Sequence, residues 1–217
     1  TGRVDDQILN VCIGLEIYRH CILLHDDLVD MDDLRRGGRT MHKILMTDYD
    51  SRFGQSAAMF LGNIAFSYAL QQISSSGFPE DKIAKSLLLL SKGYEEVNES
   101  QILDLLLEYK NVEINEWRIM ASRRAASLFR TVILIGAILG GSPEIDLGTL
   151  ESAATNMGYS FDIQDDIIDT FADEKQYGRP PCGDIASGKK PLHVIYTLKH
   201  ADHGETIALK NLLGKKS

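Results

Sequence analysis

Residues 15–30 read LEIYRHCILLHDDLVD, an apolar stretch that ends in three aspartates. From residue 8 onward, apolar side chains recur at the three- and four-residue spacing of an α-helix: Ile8, Val11, Cys12, Leu15, Tyr18 and Ile22. We expect Asp5 or Asp6 to cap the start of this helix. The signature returns at residues 165–169, DDIID, inside a second apolar stretch. Burying carboxylates is costly without a compensating charge, so the two sets predict a shared cationic partner.

The rest of the chain also has helical periodicity. We predict helices near residues 52–75, 79–109, 115–139 and 147–171, and shorter ones near 191–199 and 205–213. Alternating strand patterns are absent, and no hairpin turn signal separates β-branched runs. Several of the helices are apolar on more than one face, as in a large bundle. The pattern therefore predicts an all-α fold, and we expect one domain over residues 1–217.

The composition excludes some classes of function. The 217 residues include 23 Lys and Arg against 31 Asp and Glu, a net charge of −8. This balance argues against nucleic acids and anionic membrane surfaces as partners. We predict no membrane span, because the longest apolar run, residues 131–139, is about half of the ~20 residues required. Cys12, Cys21 and Cys182 are odd in number and far apart, which favours a reducing, cytoplasmic location.

The spacing within each acidic signature suits a metal site. Asp26 and Asp30 lie one helical turn apart on one face, and Asp27 is turned roughly 100° aside. The second signature repeats this pattern with Asp165, Asp169 and Asp166. Mg²⁺ prefers oxygen ligands and commonly completes its coordination shell with substrate phosphates. The two helices are therefore predicted to hold Mg²⁺ and a diphosphate between them. The alternative is a pair of solvated acidic helix ends.

Basic residues follow both signatures. Arg35 and Arg36 come just after the first, beside Gly37 and Gly38, and arginines can grip phosphate oxygens in a bidentate manner. The second is followed by four cations: Lys175, Arg179, Lys189 and Lys190. Arg123 and Arg124 interrupt an apolar helix. They are either an ordinary salt-bridged pair or an anion-binding group.

These residues together resemble a known family. The segments 24–37, LHDDLVDMDDLRRG, and 161–169, FDIQDDIID, look like the two aspartate-rich regions of the trans-isoprenyl diphosphate synthases. Gln101 and Asp104 match a Gln-x-x-Asp element, and residues 126–129, ASLF, match the end of a Lys-Thr-x-x-Leu-Phe element. The residues that follow the second region also match the family: Gly178-Arg179, Asp184 and Gly188-Lys189. The resemblance runs from about Ile8 to Leu213.

The resemblance implies a fold and an activity. Its members are large antiparallel helical bundles around a central cavity, work as homodimers, and join isopentenyl diphosphate to an allylic diphosphate using Mg²⁺. The residues implied to hold Mg²⁺ are Asp26, Asp27, Asp30, Asp165, Asp166 and Asp169. Those implied to contact the leaving diphosphate are Arg35, Arg124, Arg179 and Lys189, and Arg36 is implied to contact isopentenyl diphosphate.

Several positions depart from the family pattern. Asn63 replaces an aspartate, Ala125 a threonine and Asp162 a glutamine, while Arg124 and Arg179 stand where lysines are common. Asp162 lies one turn before Asp166, so it either joins the metal cluster or pairs with an arginine. The family's Gly-Gly-Lys-Arg element, which helps to bind isopentenyl diphosphate, is not found in the 217 residues, nor are the C-terminal helices. We expect these segments to be missing through truncation.

Product length is implied by the helix that precedes the first aspartates. In the family, bulky residues there form the floor of the product cavity. Cys21 is small, and with Ile22 beside it Tyr18 is the next candidate floor. This favours a product beyond fifteen carbons, with geranylgeranyl diphosphate preferred. The alternative is that Tyr18 simply packs against a neighbouring helix or a dimer partner.

Two other functions stay open. The departures at Asn63, Ala125 and Asp162 are compatible with a non-catalytic or partner-dependent subunit of a prenyl diphosphate synthase. A terpene cyclase is also α-helical and Mg²⁺-dependent. Cyclases usually carry an Asn/Ser/Glu-type second motif, and residues 165–169 do not fit that type.

Overall fold

The structure is a computed structural model, and it describes residues 4–173, 175 and 180–215. It is built from α-helices, as predicted. The helices are α1 (Asp6–Val29), α2 (Met41–Leu45), α3 (Ser51–Ser74), α4 (Glu80–Glu108), α5 (Ile114–Arg123), α6 (Ala125–Gly140), α7 (Glu144–Phe171), α8 (Gly183–Ser187), α9 (Leu192–His200) and α10 (His203–Leu212). Asp5 caps α1, since its side chain accepts a hydrogen bond from the Ile8 N–H at 3.1 Å.

The structure differs from the sequence-based expectations in two places. The single helix predicted over residues 115–139 is wrong, because the chain breaks at Arg124, where φ is −89° and ψ is −111°. No strand pattern in the sequence indicated the second difference. A short antiparallel hairpin joins β1 (Leu34–Arg35) to β2 (Gly38–Arg39). Its two-residue turn, Arg36 and Gly37, has positive φ at both positions, as tight hairpin turns require.

The described chain divides into two compact units. Unit 1 comprises the residues up to Gly93 and Arg130–Ser152, and unit 2 comprises Tyr94–Phe129 and the residues from Ala153 onward. The expectation of one domain over residues 1–217 stays a prediction.

Unit 1 is organised around the packing of α1 on α3. A Cβ added to Gly14 would lie 2.9 Å from Ile73 Cγ1 and 3.0 Å from the Ala69 carbonyl oxygen, so the glycine allows the two helices to approach. The core of this unit includes Val11, Tyr18, Cys21, Ala58, Ala69, Ile73, Leu90, Ile135 and Leu139. The helix α2 packs on α3 next to Gly54. This places the end of α1 and its aspartates on a rigid helix pair.

Unit 2 has its own apolar cluster. Its buried members are Leu107, Trp117, Met120, Ala121 and Ile195. Reciprocal hydrogen bonds of Glu113 and Glu116 form a capping box at the start of α5. The cluster holds α4, α5 and α9 together beside the acidic part of α7.

By length and composition, α1 is the one described helix that is apolar enough to cross a membrane. A core helix of a soluble protein passes the same test. Here α1 packs on α3, buries Tyr18 and Cys21, and carries three aspartates near its C-terminus.

Candidate active site

Two aspartates of the first acidic signature bind one arginine. Arg35 donates from Nη2 to Asp26 Oδ2 at 2.8 Å and from Nε to Asp27 Oδ1. Asp27 is 6% exposed, whereas Asp26 and Asp30 are partly exposed. The helical period therefore separates a buried carboxylate from two accessible ones, as the spacing predicted.

The chain reversal after α1 brings Arg35 to the aspartates. α1 ends at Val29, Met31 takes a positive φ of 57°, and the hairpin returns the chain toward the helix end. Buried Thr40 closes this loop by donating from Oγ1 to the Asp32 carbonyl oxygen at 2.6 Å. Arg36, in the turn, is exposed and has a φ of 52°. The two arginines thus differ: one is bound to aspartates, and the other faces solvent.

Burial and neighbouring charges shift the pKa values of this group in opposite directions. Burial raises the pKa of Asp27, and the hydrogen bond and charge of Arg35 act in the other direction. Burial by itself lowers the pKa of Arg35, but its contacts with Asp27 and Asp26 outweigh burial, so the net shift is upward. Arg35 therefore supplies the compensating charge that the sequence required.

The second signature lies on α7 in unit 2, where the buried face differs from the expected one. The buried residues of α7 are Ala154, Gly158, Asp162, Asp166 and Asp169, while Asp165 is exposed. The buried carboxylates are thus spaced by four and three residues, which is one helical stripe. The stripe adds Asp162 to two members of the predicted metal set.

Arg124 lies among three carboxylates. Its Nε donates to Asp162 Oδ1 at 3.1 Å, and its Nη1 and Nη2 lie 4.0 Å from Asp104 Oδ2 and 3.8 Å from Asp166 Oδ1. Asp162 therefore pairs with an arginine, which is one of the two alternatives that the sequence left open. Neighbouring Arg123 forms an ordinary exposed ion pair with Glu99 at 3.1 Å.

Lys189 and Lys190 engage the end of α4. Lys189 Nζ lies 3.5 Å from Asp104 Oδ2, and both side chains are largely buried. Lys190 Nζ donates to the carbonyl oxygens of Leu107 and Glu108 at 2.9 and 2.8 Å. Lysines commonly satisfy the last carbonyl groups of a helix in this way. The segment that carries Lys189 is therefore anchored to α4.

Asp169 is bound to the loop that follows α7. It is 1% exposed, its Oδ2 accepts from the Asp184 N–H at 3.1 Å, and its carbonyl oxygen accepts from the Cys182 N–H at 2.6 Å. It therefore holds the start of α8. The sequence assigned Asp169 to Mg²⁺ and did not anticipate this structural role.

Asp166 is the most perturbed carboxyl group of the site. Burial raises its pKa to about 7 against the opposing charge of Arg124, and Asp184 and Asp162 add to the rise. Its Oδ2 is buried, and no hydrogen-bond partner for it is found among the described residues. A buried carboxylate oxygen in this state suits an additional cation.

The donor set fits a hard divalent cation whose coordination shell is completed by oxygens of the substrate. All the predicted ligands are carboxylate oxygens, and Asp166 offers an unsatisfied one. In the part of the chain that the structure describes, no three His, Cys, Asp or Glu side chains form a ready-made metal cluster. Mg²⁺ binding here requires water and phosphate oxygens in its shell, as is usual for this ion.

Other predicted residues fall in different places. Arg179 lies outside the described residues. Tyr18 and Cys21 are fully buried, and the Tyr18 ring lies 6.1 Å from that of Phe66, centroid to centroid. Ile22 is partly buried. Asp104 was named only as part of the Gln-x-x-Asp element and Lys190 only among the cations after the second signature, and neither was given a role in the site, although the carboxylate in the apolar run of residues 102–107 was a usable signal.

The chain is similar to known proteins over nearly its whole length. The model of the family described as polyprenyl synthetase matches residues 3–217. A geranylgeranyl diphosphate synthase of Sulfolobus acidocaldarius is 32% identical over 207 residues, which covers 94% of this chain and 60% of that protein. The chain spans about three-fifths of the length of the curated relatives it matches.

Two crystal structures have the same fold. A geranylgeranyl pyrophosphate synthetase from Pyrococcus horikoshii matches with a TM-score of 0.85 and 33% identity, covering 96% of this chain and 62% of that one. A geranylgeranyl pyrophosphate synthase from Corynebacterium glutamicum, complexed with isoprenyl diphosphate and magnesium, matches with a TM-score of 0.90 and 25% identity. That match covers 100% of this chain and 64% of the other. With both aspartate-rich motifs in place, the match to nearly the whole chain shows that this protein belongs to the polyprenyl synthetase family.

Proposed function

We propose that the protein is a trans-prenyltransferase, which joins isopentenyl diphosphate to an allylic diphosphate to give a longer linear diphosphate. One observation carries the proposal: each acidic signature is paired with cations in its own unit. Arg35 bridges Asp26 and Asp27, and Arg124 lies among Asp104, Asp162 and Asp166. Alternating carboxylates and cations suit a metal-bound diphosphate, which carries charges of both signs.

The residues that would hold Mg²⁺ are Asp26, Asp27, Asp30, Asp165, Asp166 and Asp169. When bound, Mg²⁺ supplies positive charge to the oxygens of the leaving diphosphate. A softer metal is disfavoured by an all-carboxylate donor set, since soft metals select thiolate ligands.

The basic side chains stabilise the charge of the diphosphate and hold it in place. Arg35, Arg124 and Lys189 donate hydrogen bonds to diphosphate oxygens, and this stabilises the charge that develops as the allylic C–O bond breaks. The electron pair of that bond leaves with the oxygen. The double bond of isopentenyl diphosphate then supplies the electrons of the new C–C bond. The departed diphosphate takes the proton that is lost, and a double bond is restored. No side-chain nucleophile takes part.

The two arginines of the hairpin have separate roles in this proposal. Arg35, fixed between Asp26 and Asp27, acts on the allylic diphosphate. Arg36 is exposed in the turn and is the candidate contact for isopentenyl diphosphate. A backbone φ of 52° is unfavourable for an arginine, and strained positions concentrate at functional sites.

We propose geranylgeranyl diphosphate as the favoured product. Tyr18 is buried in unit 1, close to Phe66 of α3 and to Gly93 of α4. Cys21 lies one turn closer to the aspartates and has a small side chain. The named relatives that make geranylgeranyl diphosphate support this length.

We also propose that the protein works as a homodimer. An open groove of about 430 Å³ runs along α3, lined by Phe53, Ser56, Ala57, Phe60, Leu61 and Ile64. An apolar surface of this kind marks a protein interface. A second copy of the chain is the proposed occupant. The three cysteines are free, which supports the proposed cytoplasmic location.

A partner-dependent subunit is the second candidate. The specific observation in its favour is the ion pair of Asp162 with Arg124, since the resemblance places an uncharged glutamine at residue 162. A subunit of this kind would bind a diphosphate but need another chain for turnover.

One assay separates the candidates. The full-length protein is incubated with Mg²⁺, radiolabelled isopentenyl diphosphate and allylic primers of increasing length, and the products are separated by chromatography. Linear diphosphates support the proposed function. Cyclic hydrocarbons point to a terpene cyclase, and turnover only after a partner chain is added points to the subunit.

A further inference from the structure

The break between α5 and α6 is tied to Asp162. Where the helix is interrupted at Arg124, the Ala125 N–H donates its hydrogen bond to the Asp162 carboxylate. The same carboxylate accepts from Arg124 Nε at 3.1 Å. Asp162 thus satisfies a backbone donor at the break and also binds the side chain of the residue at which the break occurs.

Gly158 allows this contact. It lies one turn before Asp162 on α7, and a Cβ at this position would lie 2.2 Å from Ala126 Cα and 2.5 Å from Ala126 N. No side chain larger than hydrogen fits against that backbone. α7 therefore approaches the break closely enough for the short Asp162 side chain to reach it.

The contact places the two edges of the Arg124 guanidinium group in different environments. The Nε edge is bound to Asp162. Nη1 and Nη2 lie 4.0 and 3.8 Å from Asp104 and Asp166, beyond hydrogen-bond distance. About a quarter of the Arg124 side chain is exposed. The Nη edge is thus oriented but can still form strong hydrogen bonds with an incoming anion.

We propose that Asp162 is a positioning residue, which fixes Arg124 at the helix break and directs its Nη edge to the diphosphate. The inference rests on the proposed function, because that function assigns the diphosphate to Arg124. Asp162 itself touches neither substrate nor metal in this arrangement.

Arg124 and Asp162 then form a matched pair. Arginine can bind one group through Nε and another through its Nη atoms, whereas lysine presents a single ammonium group. The negative charge of Asp162 compensates the buried end of the guanidinium. The two departures from the family pattern, Arg124 for lysine and Asp162 for glutamine, are therefore explained by one contact.

The experiment is a double-mutant cycle in the full-length protein with D162N, R124K and R124K/D162N. Asn keeps the shape of Asp162 and an acceptor for the Ala125 N–H but removes the charge. We expect each single variant to lose roughly 10- to 100-fold in kcat/KM for the allylic diphosphate, with KM for isopentenyl diphosphate unchanged. The double variant should have a kcat/KM no lower than that of the less active single variant. Losses that multiply in the double variant overturn the proposal.

A second readout needs no activity. Urea unfolding of the same four proteins, without metal or substrate, should give midpoint shifts that do not add. Additive midpoints overturn the proposal even if prenyl transfer is confirmed. If the protein turns over no substrate, a non-additive unfolding cycle still supports the pair, so the two proposals fail separately.

Control variants exist next to the pair. Arg123, the last residue of α5 and the neighbour of Arg124, forms an exposed ion pair with Glu99 of α4. R123K, E99Q and R123K/E99Q should leave kcat, both KM values and the unfolding midpoint nearly unchanged. If D162N fails to fold while R124K/D162N folds, the pair is supported. If neither D162N nor R124K/D162N folds, Asp162 acts on the backbone independently of Arg124, and the proposal is overturned.

Discussion

Gly158 of α7 lies directly against the backbone of Ala126 at the start of α6, and an added Cβ would lie 2.2 Å from Ala126 Cα. Backbone atoms cannot rotate away as a side chain can. Gly158→Ala should therefore push α7 from α6 and lower the free energy of unfolding by about 1–3 kcal/mol. Thermal or urea unfolding measures this loss.

The control lies in the same helix. No heavy atom of the described residues lies within 4 Å of a Cβ placed on Gly148. Gly148→Ala should raise stability by about 0.5–1 kcal/mol through helix propensity alone. Equal effects of the two substitutions would contradict the close approach at Gly158.

Arg36 should show a conflict between stability and function. A non-glycine residue with a φ of 52° is strained, and glycine relieves that strain in a hairpin turn. We expect Arg36→Gly to stabilise the protein by about 1 kcal/mol while KM for isopentenyl diphosphate rises. Calorimetry and steady-state kinetics test the two parts. A variant that is more stable with unchanged KM removes Arg36 from the substrate site.

His42 should make stability depend on pH. It is 1% exposed, and burial lowers its pKa from 6.5, with Lys43 acting in the same direction and Asp33 and Asp32 opposing. The unfolded chain then binds the proton more readily than the folded one. The stability associated with neutral His42 is present above about pH 6.5 and is lost as the pH falls through the unfolded pKa toward the lower, folded one.

The matched variant is His42→Leu, because neither ring nitrogen has a hydrogen-bond partner among the described residues. The drop in melting temperature between pH 7.5 and pH 5.5 should be smaller in this variant than in the parent protein. His193, whose pKa is also lowered by burial, contributes to both proteins and cancels in the comparison. An identical pH dependence would show that His42 does not titrate in this range.

Tyr18 should limit the length of the product. It is fully buried beside Phe66, and a Cβ on Gly93 would lie 3.3 Å from its hydroxyl oxygen. Tyr18→Ala should shift products to longer chains, as measured by chromatography of dephosphorylated prenols. Tyr18→Phe keeps the ring and should keep the length. Tyr68→Ala, at an exposed position on α3, is a further control. An unchanged product spectrum in Tyr18→Ala removes this residue from the argument.

The groove on α3 should be an interface between two copies of the chain. Phe60 is 58% exposed, and a charge there opposes burial of the apolar face. Phe60→Glu should convert dimers to monomers in light scattering coupled to size exclusion. Ile145→Glu, at an exposed apolar residue that does not line the groove, should leave the mass unchanged. A parent protein that is monomeric contradicts the proposal.

Helical periodicity predicted most of the fold. α3, α4 and α9 begin and end within one or two residues of the predicted bounds. The break at Arg124 could not be predicted, because Ala125 and Ala126 favour a continuous helix and no glycine or proline marks the end. Its cause is tertiary: Asp162 accepts the Ala125 N–H, and Gly158 permits the approach.

The candidate site was predicted in composition but only partly in geometry. Motif spacing identified the aspartates and Arg35, which the structure brings together at the end of α1. Spacing within 165–169 did not reveal that Asp165 is exposed and Asp162 is buried, since packing decides which face of a helix is covered. Asp104 and Lys190 enter through contacts between segments more than 80 residues apart, which periodicity does not encode.

The anchoring of Lys190 to the last carbonyl groups of α4 has a consequence for substrate exchange. The side chain of Lys190 is bonded through Nζ to the carbonyl oxygens of Leu107 and Glu108, while the neighbouring side chain of Lys189 reaches Asp104 about one turn earlier. A diphosphate that attracts Lys189 away from Asp104 therefore swings one side chain about a fixed pivot. If the proposed function holds, the ion pair of Lys189 with Asp104 is then replaced by a contact with the diphosphate while the Lys190 contacts to α4 persist.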